Sequence, residues 1–191
     1  MGKLALRGMV LVVVIAVLGV GSYAVAGGGS RHFTATPMIG YDENPDISTV
    51  ASGSFQAKLS NDGTSLHYKL SYSGLEGTVT QSHIHFGKRA VNGGISIWLC
   101  QTATNVSPTA GTPTCPQSGT VEGDIDMTDV IGPTGQGIEV GNLAEILAAM
   151  RAGHAYANVH SSKWPGGEIR AQINDRHGDD GHGDNNKGDD N

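Results

Sequence analysis

Polar and apolar residues alternate with a period of two through much of the chain, the mark of strands that bury one face. Phe55, Ala57 and Leu59 alternate with polar neighbours. Leu66, Tyr68, Leu70 and Tyr72 do the same with His67, Lys69 and Ser71. Asn61-Asp62-Gly63 lies between these runs and predicts a hairpin turn. Further strands are predicted over 79–86, from Ile95 to Leu99, and from Thr120 to Met127 with Val121, Ile125 and Met127 on one side. Ser73-Gly74, Glu76-Gly77 and Asn92-Gly93-Gly94 supply the turns. His32 is placed just before the first strand.

One stretch changes period. Leu143, Ile146, Leu147 and Met150 recur at helical spacing, so a short helix with one apolar, core-packing face is predicted. Asn142 is placed to cap it, Glu145 follows in a capping-box-like arrangement, and Gly153 is placed to end it. Residues 154–160 and 168–173 then predict two strands joined by Trp164-Pro165-Gly166-Gly167. Many short strands with turns between them predict an all-β fold, an antiparallel sandwich or barrel with one short helix.

The two ends break the alternation. Lys3 and Arg7 precede an apolar run from Met9 to Val20, and Ala24-Val25-Ala26 follows. Residues 1–26 therefore read as a signal peptide. The run is shorter than the ~20 residues a membrane span needs. The competing reading keeps it uncleaved, lengthened by Gly19 to Ala26, as the protein's only tie to a membrane. At the other end, residues 175–191 hold no aliphatic or aromatic side chain and cannot bury apolar surface, so an Asp/Gly/His-rich disordered tail is expected. The folded domain is then residues 31–174, a length suited to one domain.

Charge and cysteines narrow the function. The chain carries a formal charge of −6, more negative still once Lys3 and Arg7 leave with the signal. Without a Lys/Arg cluster, nucleic acid is excluded as a partner. Export would bring Cys100 and Cys115 into an oxidising compartment, where a pair predicts a disulfide. Closing a loop of about 15 residues stabilises by about 3 kcal/mol in the chain-entropy model. No CxxC pairing suggests a metal role for them. Neither Gly-x-Ser-x-Gly nor a phosphate loop occurs, and no catalytic residue is assigned.

The candidate chemistry lies in histidines. His83 and His85, two apart on a predicted strand, point to one face. His154, Tyr156, Asn158 and His160 share a face of a later strand. If the strands are neighbours, His83, His85 and His160 converge, with His154 as a possible fourth ligand; imidazole suits Cu, Zn, Fe and Ni. Asn158 or Glu168 could orient a ligand ring from behind. The alternative is a set of hydrogen-bonded structural histidines. His67, beside Lys69, is expected in solvent. Glu168 and Arg170 share a face, read as a structural ion pair or hydrogen-bonded anchor. His177 and His182, among the tail aspartates, do not fit the EF-hand spacing.

The segments HIHFGKRAVNGGISIWLC and GHAYANVHSSKWPGGEIRAQI resemble the CHRD domain, found in chordin and in bacterial exported proteins. Glu43 and Pro45 match its opening Glu-x-Pro motif, and the resemblance spans roughly residues 33–173. The chain departs from the pattern at Ala157, at Ala171 and in lacking a second proline near Pro45. The His-x-His-x-Gly strand and the later Val-His are also similar to copper–zinc superoxide dismutase. This likeness implies a Greek-key β-sandwich in which His83, His85 and His160 match copper ligands. A bridging histidine and a zinc loop have no counterpart, so the likeness implies a mononuclear site and not dismutase activity. Two functions follow. One is a non-catalytic binding module for an unknown extracellular protein or envelope component. The other is a copper-binding protein, with copper the one cofactor expected, serving redox chemistry or metal sequestration.

Overall fold

The computed structural model describes residues 29–175. The expected signal segment and all of the expected tail after Asp175, including His177 and His182, lie outside them. Nine strands and one helix follow in order: β1 (His32–Ile39), β2 (Ser52–Leu59), β3 (Leu66–Ser73), β4 (Val79–Phe86), β5 (Gly94–Cys100), β6 (Gly119–Ile125), α1 (Leu143–Arg151), β7 (Ala155–Ser161), β8 (Ile169–Gln172) and β9 (Asn174–Asp175). No helix among the described residues is long and apolar enough to cross a membrane.

Every strand pairing is antiparallel, along the path β5-β4-β7-β8-β1-β2-β3-β6. The chain runs β1-β2-β3 as neighbouring hairpins, crosses to β4 and β5, returns to β6, and crosses again through α1 to β7. Two such crossings make a Greek-key arrangement. Its halves, β5-β4-β7-β8 and β1-β2-β3-β6, join through a narrow contact where Ile39 pairs with Arg170. They close over Phe33, Phe55, Leu66, Leu70, Ile84, Ile97, Leu99 and Val159, none of them solvent-exposed. Burying one such side chain stabilises by about 1.5–3 kcal/mol. The Tyr68 hydroxyl bridges the halves by donating to the Leu99 carbonyl. Cys100 and Cys115 form the expected disulfide, in the connection from edge strand β5 to edge strand β6.

Alternation places β2 and β3 correctly, with Phe55, Ala57, Leu59, Leu66, Tyr68, Leu70 and Tyr72 all buried. Three expectations are corrected. His32 is the first residue of β1, not a residue before it. Strand β6 stops at Ile125, and Met127 is exposed in a 3-10 turn. There Asp126 accepts from Thr128 N while Asp129 accepts from Asp126 N, so the two carboxylates cap the backbone and end the strand. Asp175, grouped by composition with the tail, pairs with Phe33. In α1, Asn142 Oδ1 accepts from Glu145 N at 3.3 Å. Glu145 turns to Glu139 N instead of closing the box. Gly153, at φ 69°, ends the helix in the left-handed conformation glycine favours.

Candidate functional site

Strand pairing assembles the site. In the β4–β7 ladder His83 lies opposite Asn158, His85 opposite Tyr156 and Gln81 opposite His160. In β7–β8, Tyr156 faces Gln172 and Asn158 faces Arg170. Paired residues share a face, so His83, His85, Tyr156, Asn158, His160 and Arg170 gather on one side. Ile84, Ala157 and Ala171 occupy the core side. The gathered side is the outer face of this half of the sandwich, yet it is covered. His83 is 0%, His85 8% and His160 5% exposed.

The three rings converge. Their centroids are 5.4 Å apart for His83–His85, 5.0 Å for His83–His160 and 6.2 Å for His85–His160. One nitrogen from each ring can be chosen so that all three lie within 4.8 Å of one another. Such a triangle fits inside a circle of radius about 2.8 Å, so ring movements of under an ångström reach the 2.0–2.1 Å of a metal–imidazole bond.

Backbone carbonyls orient two of the rings. His85 Nδ1 donates to Gly93 O at 2.9 Å, and His160 Nδ1 donates to Pro165 O at 2.9 Å. Both rings therefore turn Nε2 inward as a lone pair. Metal-binding histidines use the same device to set their tautomer. His83 Nδ1 lies 3.2 Å from His160 Nε2. The Nε2 atoms of His83 and His85 are buried without a hydrogen-bond partner. Burial, with the neighbouring histidines adding to it, pushes His83 down to about 2. Burial likewise lowers His85 to about 4, and lowers His160. The rings are neutral at neutral pH, the state a metal requires.

The other expected members divide. Asn158 is at the site, its Oδ1 3.1 Å from His160 Nε2. His154 is exposed, one residue before β7, and is not grouped with the three. Glu168 orients no histidine. Its Oε1 accepts from Thr49 Oγ1 at 2.8 Å and from Glu76 N at 2.7 Å. Nor does it pair with Arg170, whose guanidinium donates to Asn92 Oδ1 and Val91 O and stacks 3.8 Å over the Tyr156 ring. The cause is that β8 begins only at Ile169; Glu168 still belongs to the preceding turn. His67 is exposed as expected.

Sequence reasoning missed four contributors. Tyr156 stacks on His85, centroids 4.8 Å apart and planes 2° from parallel. Trp98, opposite His83 in β5, meets that ring edge-on at 4.4 Å. Strand alternation already placed Tyr156 on the histidine face and is the signal that could have found it. The Gly93 and Pro165 carbonyls carry no side-chain signal. Gly93 is nonetheless confined to glycine, because a Cβ there would lie 1.8 Å from Phe86 O.

A family model, the CHRD domain, matches residues 34–173, which takes in every residue of this site. No curated protein and no solved structure gives a significant match to the chain.

Proposed function

The chain belongs to the CHRD domain family, and on that footing we propose that it binds one copper-type metal ion through His83, His85 and His160. The observation that carries this reading is the convergence of three buried imidazoles, with the Nε2 atoms of His83 and His85 left without a hydrogen-bond partner. An unsatisfied buried acceptor costs about 1–3 kcal/mol. Two on converging buried rings, one of them held from behind by a backbone carbonyl, are accounted for by a cation. The role that fits three neutral ligands on a rigid ladder is holding metal. The reading places this outside the cytoplasm, after export by residues 1–26, and the Cys100–Cys115 disulfide supports that placement. The alternative, a surface module for an extracellular protein or envelope component, gives the converging imidazoles no task.

Titration of the protein with copper beside a His83→Ala/His85→Ala double variant tests this. One tightly held equivalent, lost in the variant, is expected. Equal binding by both forms, or tight binding by neither, would leave the histidines structural.

A further inference from the structure

Resting on the metal reading, a second question is which charge the site accepts. The grouped donors are three imidazoles, with neither carboxylate nor thiolate among them. None can offset the charge of the ion it holds. The pocket is nearly dry, and the cost of burying an ion there rises steeply with its charge. A divalent ion among neutral ligands is therefore penalised far more than a monovalent one.

A fixed positive charge adds to this. Arg170 is 1% exposed and lies behind His85 in a three-layer stack. Its guanidinium is 3.8 Å from the Tyr156 ring centroid, and that ring is 4.8 Å from His85. Both hydrogen-bond acceptors of the guanidinium, Asn92 Oδ1 and Val91 O, are neutral. The nearby Glu43 carboxyl is pushed up to about 8 by burial, against the pull of the guanidinium, and among the described residues no carboxylate lies within ion-pair distance of Arg170. That charge repels a divalent ion twice as strongly as a monovalent one. It is also anchored, since Tyr156 accepts from Gly93 N, and Gly93 O in turn holds His85.

We propose that the site is built for a monovalent ion, Cu(I), and that the buried Arg170 guanidinium sets this preference over divalent ions. Arg170 gives its hydrogen bonds to Asn92 and Val91 rather than to the three rings and acts by its field, so it is a selectivity residue and not a ligand.

The test measures Cu(I) affinity under reductant and Zn(II) affinity, each by competition with a chelator, on the full chain. The His83→Ala/His85→Ala variant serves as the blank for ions held elsewhere. Wild type should hold Cu(I) more tightly than Zn(II). Arg170→Gln, which keeps donors but removes the charge, should narrow the Cu(I)/Zn(II) ratio by roughly tenfold, the effect of one partly screened charge at this range. Arg170→Lys should keep most of the ratio. Asn92→Asp changes an exposed loop residue and sets a carboxylate against the guanidinium; it should narrow the ratio by a smaller factor, even if Arg170→Gln fails to fold. Tighter Zn(II) binding by wild type, or a ratio unmoved by both charge changes, would overturn the inference while leaving the metal reading in place. Failure of wild type to exceed the blank for either ion would remove both.

Discussion

On the outer face of β3 and β6, His67 and Lys69 stand in solvent beside Asp124 and Glu122, at 2.9 Å and 2.7 Å. On the outer face of β4 and β7, His83, His85 and His160 are buried with no carboxylate against them. Both faces are polar rows on antiparallel ladders of similar length. What separates them is the covering. Loops bearing Gly93 and Pro165 lie over the second face and supply its carbonyls. The Asn92 side chain donates to Asn44 O, tying one of these loops to the turn after β1. The same residue type is therefore a solvated surface group on one side of the sandwich and a buried, neutral base on the other. Cover, not residue identity, decides the chemistry.

This contrast should appear first in stability. Arg170→Ala removes a buried cation that holds a loop and an aromatic ring, and should cost about 4 kcal/mol, read from urea unfolding. A loss under about 1 kcal/mol would mean that the covered face is not built around it. Replacing Cys100 and Cys115 by serine should cost about 3 kcal/mol by the same measurement, because their bridge closes the connection between the two edge strands. A negligible loss would show that the edges hold without it.

Acid should strike the covered face in the metal-free protein. His83, His85 and His160 all have folded-state pKa values below the ordinary 6.5. The unfolded chain then binds more protons, so their contribution is complete above pH 6.5 and is lost as pH falls. His85 alone, lowered to about 4, should account for about 3 kcal/mol between pH 6.5 and 4. The His83→Ala/His85→Ala variant should show a flatter dependence; an unchanged slope would contradict the assigned burial. The smallest effect belongs to the open face. Lys69→Ala breaks an exposed pair and should leave the urea midpoint within experimental scatter.

Much of this was legible in the chain. Period-two alternation located β2, β3 and β4, and capping residues located α1. The His-x-His spacing and the Asn-Val-His strand named all three converging rings. What stayed hidden depends on long-range pairing and on backbone. Nothing local tells that Gln81 sits opposite His160, or that Arg170 faces Asn158. Glu168 and His154 each lie just outside a strand end, where alternation no longer fixes direction. Met127 was misplaced because two aspartates capped a turn that hydrophobicity alone extended as strand.

The central claim is that three imidazoles share one ion, and X-ray absorption on the copper-loaded protein tests it most directly. The account predicts three imidazole nitrogens at about 2.0 Å, with that signature absent from the His83→Ala/His85→Ala variant. A shell dominated by oxygen, or the same spectrum in both proteins, would contradict it.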